Sequence, residues 1–277
     1  MIESNFTGYV HNQSFDEYLS HPAISSHKCI QILESPALYK WEKENHVEQT
    51  EDMRLGTILH SAILEPEDFS MRVVHMPKFD RRTNKGKADY EAWKAELPEK
   101  AIVVNEKERE TLLRMLDSCR QHPAAYQLLQ GSVKERSSYF YDESMGLQLK
   151  GRLDIDHERA GIIADVKKVR SAKKARFQRD IAEYRYHVQA AFYMNLANSL
   201  SERLGRGVRY MDFAWILCEC EPPYETAVYY ATEDLLRTGL AEVGEALKAY
   251  QRCTMTGNWA SYPTDPQPIE LPKWYVS

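Results

Sequence analysis

No apolar run in this chain approaches the ~20 residues that cross a bilayer. Its opening stretch, MIESNFTGYVHNQSFDEYLS, shows no charged-then-apolar leader pattern. Cysteine is sparse. Cys29, Cys119, Cys218, Cys220 and Cys253 include no CxxC pair, which argues against a disulfide frame and for reduced thiols. There is no internal repeat and no low-complexity tract, so solenoids and linker-like chains are set aside. Nor is positive charge in excess, the formal balance being −5. A soluble cytoplasmic protein is expected, and 277 residues with 43% hydrophobic content can bury a large core in one domain.

The charges are unevenly placed. The segment 78-KFDRRTNKGK-87 sets Lys78, Arg81, Arg82, Lys85 and Lys87 against one acid, and 167-KKVRSAKKARFQR-179 holds seven cations and no acid. A negative total coexists with such local basic tracks, which suit phosphates. Solvated surface is the ordinary explanation of either cluster alone.

Short helical pieces are expected over 14–45, with Ser25 or Ser26 and Ser35-Pro36 as starts. An apolar helix follows at 53–64, ended by Glu65-Pro66, then a polar loop over 78–88. Helices are read at 88–96 and 105–120, the second with Asn105 as cap and Glu108 three residues on. Strand patterns then occupy 133–141, 147–157 and 161–169, and an amphipathic pattern runs over 177–203. Strands return at 208–218 and 225–231, and Thr232 caps a helix over 233–253. The expected class is α/β. A mainly helical part spans 1–130, a β-β-β-α-β-β-α core 131–253, and a Pro-rich extended tail 254–277.

The chemistry concentrates in 150-KGRLDIDHERAGIIADVKKV-169. A turn centred on Arg159-Ala160 sets a register in which Asp154 faces Asp165 and Arg152 faces Lys167. Alternation then puts Asp154 with Asp156, and Asp165 with Lys167, on shared faces. Carboxylates opposed at ~4.5–5.5 Å between Cβ atoms repel each other. A divalent cation relieves that repulsion, because hard metals take oxygen ligands from several backbone segments. Lys167 lies one side-chain step away, able to position or deprotonate a water or to stabilise charge on a phosphate. A solvent-exposed hairpin is the ordinary alternative, but Leu153, Ile155, Ile162, Ile163 and Val166 require at least one buried face.

Gly151-Arg152-Leu153-Asp154, followed eleven residues later by Asp165-Val166-Lys167, resembles the PD-(D/E)xK nuclease superfamily. Further elements are similar to its RecB-like and RecE-like branch: Gly56-Thr57-Ile58-Leu59-His60 for a GxxxH helix, Glu135 for an acid on the preceding strand, and Gln189-Ala190-Ala191-Phe192-Tyr193 for a QxxxY helix. With LGTILHSAILEPEDF and the RRTNKGK loop, the resemblance is greatest to RecE-type (exonuclease VIII) nuclease domains and runs from about residue 20 to 250. Iron–sulfur relatives carry clustered cysteines that Cys218, Cys220 and Cys253 do not reproduce.

The resemblance implies a restriction-endonuclease-like core, a central mixed β-sheet flanked by helices. It implies Mg²⁺ or Mn²⁺ held by His60, Asp154, Asp165 and the Val166 carbonyl, with Lys167 as the catalytic lysine. Glu135 completes the site, with Glu143 as a rival, and Asp156 lies behind the ligands. Gln189 and Tyr193, on one helical face, are suited to a DNA strand or the lysine. Lys173, Lys174 and Arg176, with Arg81 and Arg82, are phosphate candidates. The implied activity is digestion of linear double-stranded DNA from 5′ ends, leaving 3′ tails for a RecT-like annealing protein. A homo-oligomeric ring is implied too, with Trp274-Tyr275 as a subunit contact. An endonuclease or single-strand nuclease on the same core, or an inactive DNA-binding protein, are the alternatives.

Overall fold

Capping residues set most helix starts. In the computed structural model, which describes residues 5–45, 50–260 and 262–271, strand β1 (Gly8–Val10) precedes α1 (Phe15–Ser20), which opens on a Ser14/Glu17 capping box. Ser25 caps α2 (Ser26–Glu34), and Ser35 caps α3 (Pro36–Glu44) with Pro36 in its first turn. Thr50 caps α4 (Glu51–Leu64), and α5 (Pro66–Arg72) follows. Strands β2 (Val73–His75) and β3 (Ile102–Val104) form a small parallel pair around α6 (Asn84–Ala95). The expected 78–88 loop is therefore shorter, because Thr83 caps α6 and its first turn uses the basic segment. Asn105 and Glu108 form the expected capping box of α7 (Glu106–Gln121), and α8 is Pro123–Leu129.

Strands β4 (Val133–Asp142), β5 (Leu147–His157) and β6 (Ile162–Val169) come next, then α9 (Lys174–Glu183), α10 (Tyr186–Arg203), β7 (Asp212–Glu219), β8 (Thr226–Tyr230) and α11 (Glu233–Thr256). The sheet order is β1-β4-β5-β6-β7-β8, antiparallel except for β6 and β7, which run parallel across the α9–α10 crossover. The helix expected over 177–203 is broken. Arg185 takes a left-handed conformation (φ 52°) between α9 and α10. Beyond α11 the described residues form no further element, and Trp274-Tyr275 lie outside them.

Both faces of the sheet are covered. Ile163, Phe213, Trp215 and Leu217 pack with Phe192, Leu196 and Leu200 of α10. Ala164, Val166, Ala214 and Ile216 pack with Leu59 and Ala62 of α4 and Met115 of α7. Fully burying each large apolar side chain contributes roughly 1.5–3 kcal/mol. The GRxD glycine has a packing reason. A Cβ at Gly151 would come 2.7 Å from Leu196 Cδ2 and 3.2 Å from the Tyr193 ring.

The hairpin register is the expected one, pairing Ile155 with Ala164, Asp156 with Ile163 and His157 with Ile162. The ladder ends at Ile155–Ala164, so neither Asp154–Asp165 nor Arg152–Lys167 is a ladder pair. The pleat also reverses there. Leu149 and Leu153 face α10, whereas Ile155 faces α4 and α7. Opposite Asp154, Glu135 drops out of the β4–β5 ladder with φ 48°, between the pairs Lys134–Ile155 and Arg136–Leu153. A left-handed glutamate inside a strand costs on the order of 1–3 kcal/mol, and such strain gathers at functional positions.

Candidate active site

Where β5 and β6 part, a helix and two strands bring three ligand-type side chains together. One ligand atom each from His60, Glu135 and Asp154 lies within 4.8 Å of the other two. The apolar face of α4 packs on the sheet and carries His60 to its edge, with Nδ1 3.3 Å from Asp154 Oδ2. The freed N–H of Val166 donates to Asp154 Oδ2 at 2.9 Å, in place of a ladder bond. The strained turn at Glu135 aims its carboxylate into this cluster rather than along the sheet.

The electrostatics are those of a site short of positive charge. Burial first, and the Asp154 carboxylate second, push Glu135 up to about 7 despite its ion pair with Arg152. Burial and Asp165 raise Asp154 well above the usual carboxylate range. Burial lowers the pKa of His60, favouring the neutral imidazole that binds metals. Crowded carboxylates around a neutral histidine form a hard-metal donor set, so these residues fit Mg²⁺ or Mn²⁺.

Asp165 and Lys167 form the other half. Lys167 Nζ lies 2.7 Å from Asp165 Oδ2, and Gln189 Nε2 of α10 donates to Asp165 Oδ1 at 3.1 Å. Burial works against the ammonium, but Asp165 and its neighbours outweigh it and raise the pKa of Lys167. The pair with Asp165 thus favours the ammonium form of Lys167, which suits it to steadying phosphate charge. Asp165 is not among the three clustered ligand atoms, whereas Glu135 is.

Several expected residues are placed differently. Glu143 pairs with Arg203 on the surface, which leaves Glu135 as the acid at the site. Asp156 does not share the face of Asp154, because the pleat reverses between them. It takes hydrogen bonds from Tyr210 Oη and Arg136 at 2.6 Å each, in a separate buried network. Tyr193 is only 8% exposed, its hydroxyl on the side of Gln189 and Ser26.

Lys173 and Lys174 are exposed at the start of α9, just past β6, while Arg176 pairs with Asp180 at 3.0 Å. Arg81 lies over the Tyr90 ring at 4.4 Å, and Arg82 pairs with Asp80 at 3.0 Å. Sequence reasoning overlooked Arg152 as a supporting residue. It grips Glu135 and donates to Gln13 O at 2.8 Å, and its place inside the GRxD motif was the available signal.

Residues 23–266 match a family described as a PDDEXK-like domain of unknown function, DUF3799. The fold is similar to that of a protein from Eubacterium rectale provisionally named an exonuclease, with TM-score 0.63 and 13% identity over 94% of this chain and 97% of that one. A phage-related exonuclease from Haemophilus somnus 129PT aligns with TM-score 0.37 and 12% identity over 87% and 98% of the two chains. The first is a likeness of fold, and the second is too distant to carry an argument. No curated protein matches the chain in sequence. Among the described residues no helix is long and apolar enough to cross a membrane.

Proposed function

The chain belongs to the PDDEXK-like DUF3799 family, and from that premise we propose that it is a metal-dependent deoxyribonuclease. Its proposed substrate is linear double-stranded DNA, digested from 5′ ends to leave 3′ single-stranded tails. The observation that carries this reading is the convergence of His60, Glu135 and Asp154 beside the Lys167–Asp165 pair.

His60, Glu135 and Asp154 would hold Mg²⁺ or Mn²⁺, with Asp165 and the Val166 carbonyl as further donors. A bound divalent cation supplies charge neutralisation at the phosphate and a more acidic water. The remaining work belongs to the side chains. Lys167 offers its ammonium to a phosphate oxygen as negative charge builds on it, and a preorganised donor of this type contributes about 10²–10³ in rate. Gln189 and Lys167 together fix the Asp165 carboxylate, while Arg152 fixes Glu135. Lys173, Lys174 and Arg176 lie downstream of the active strand, and with Arg81 and Arg82 they would hold the backbone of the duplex. A ring-shaped homo-oligomer around the duplex and a RecT-like annealing partner complete the proposal.

Incubation with linear and covalently closed circular duplexes of one sequence, in Mg²⁺, Mn²⁺ or EDTA, tests it. The reading predicts metal-dependent loss of the linear form and survival of the circle. Cleavage of the circle would make the protein an endonuclease. An intact linear duplex under every metal would remove the enzyme reading.

A further inference from the structure

The break between α9 and α10 brings an unassigned side chain to the active lysine. Arg185, in its left-handed conformation, pairs with Glu242 of α11, and His187 Nε2 reaches the same glutamate at 3.0 Å. Both residues thereby pin the start of α10 to α11. Tyr186 lies between them in sequence and three residues before Gln189, on the neighbouring part of the helix surface. Its ring centroid is 4.8 Å from Lys167 Nζ. The ring is backed by Phe177 at 6.0 Å and Tyr184 at 5.6 Å between centroids. One turn of α10 thus touches both ends of the Asp165–Lys167 pair, with Gln189 on the carboxylate and Tyr186 against the ammonium.

We propose that Tyr186 is the positioning residue of Lys167, its ring holding the ammonium by cation–π attraction beside Asp165. The physical need is specific. Lys167 has a long, flexible stem, and its charged neighbours Asp165 and Asp154 both draw it toward the place where a metal belongs. An aromatic face attracts the cation without carrying a formal charge, so it restrains Nζ without adding another anion to a crowded carboxylate site. Packing among Phe177, Tyr184 and Tyr186 explains why an aromatic stands there, but not why its ring faces the lysine.

The consequence for rate rests on the nuclease reading, whereas the contact itself does not. Two variants separate ring from hydroxyl: Tyr186→Phe keeps the ring, and Tyr186→Leu removes it. In metal-free protein carrying ¹³C-labelled lysine, the Lys167 ε-methylene resonance is assigned by its disappearance in Lys167→Arg. The ring face shifts that resonance upfield in the wild type and in Tyr186→Phe, and the shift is lost in Tyr186→Leu. Single-turnover cleavage of linear duplex in Mg²⁺ is expected to slow about tenfold in Tyr186→Leu at saturating DNA, equivalent to about 1.4 kcal/mol of barrier. DNA affinity and Mn²⁺ affinity stay within about twofold, and Tyr186→Phe restores the rate. A Lys167 resonance unmoved in a folded Tyr186→Leu overturns the proposal. So does a Tyr186→Phe variant as slow as Tyr186→Leu, which would assign the work to the hydroxyl. If the wild type cleaves no DNA, the nuclease reading fails and the resonance alone decides the contact.

Discussion

His60 Nδ1 lies 3.3 Å from Asp154 Oδ2, although one sits on a helix covering the sheet and the other on a central strand. Nothing local in the chain brings them together; the α4–sheet packing does. Because His60 is 29% exposed at its side chain, His60→Ala should fold. It should weaken Mn²⁺ binding by at least the roughly ten- to hundredfold that loss of a mere outer-shell partner costs a metal site. Calorimetry on the metal-free protein checks this, and unchanged affinity would remove His60 from the ligand set.

The acid cluster gives folding stability a definite pH dependence. Burial, followed by Asp154, moves Glu135 from an ordinary 4.5 up to about 7. Between those values the folded chain keeps a proton that the unfolded chain has released, so stability falls as pH rises through that window. Asp154, raised in the same direction, adds to the slope. His60 and Lys150, whose pKa values burial lowers, act in the opposite direction, so the Glu135 share is read by comparing variants. In urea melts of metal-free protein between pH 5 and pH 8, Glu135→Gln should lose less stability, or gain more, than the wild type, and Mg²⁺ should stabilise the wild type at pH 8. A greater loss in Glu135→Gln would contradict the assignment.

Gly239 of α11 meets α10 at a contact with no room for a side chain. A Cβ there would lie 2.2 Å from His187 O and 2.9 Å from Ala191 Cβ. Gly239→Ala should therefore destabilise the protein by about 1–3 kcal/mol, the usual cost of overpacking. Thermal melting would show it. The same wedge should displace the first turn of α10 and lower activity beyond the loss of folded protein.

Lys174 opens α9 on an exposed position next to the active strand. If it contacts a phosphate, Lys174→Ala should weaken binding to duplexes of any sequence and lower the salt-dependence slope by about one. Binding isotherms across a salt series measure that slope, and a slope equal to the wild type would move Lys174 off the DNA.

Much of the fold was legible because short-range chemistry fixes it. Ser25, Ser35, Asn105 with Glu108, and Thr232 mark helix starts as their capping geometry requires. Turn residues and apolar alternation gave the hairpin register. The illegible parts are settled by tertiary contacts. No glycine or proline marks the break at Arg185, whose left-handed backbone is held by Glu242 on a distant helix. The three-residue strands β1, β2 and β3 are too short for any periodicity. The pleat reversal separates Asp154 from Asp156, and alternation alone placed them together. The motif residues His60, Asp154, Asp165 and Lys167 were readable one by one. The turn of Glu135 toward His60 and Asp154, and its pairing with Arg152, rest on a strained backbone that periodicity does not express.

End-labelled linear duplex, incubated with wild-type protein, Asp154→Asn and Lys167→Ala in Mg²⁺ and in EDTA, puts the whole account to trial. The expected result is Mg²⁺-dependent release of the 5′ label ahead of the 3′ label. That release should be lost in Asp154→Asn and reduced about 10²–10³-fold in Lys167→Ala. Equal release by the wild type and both variants, or release that persists in EDTA, would contradict it.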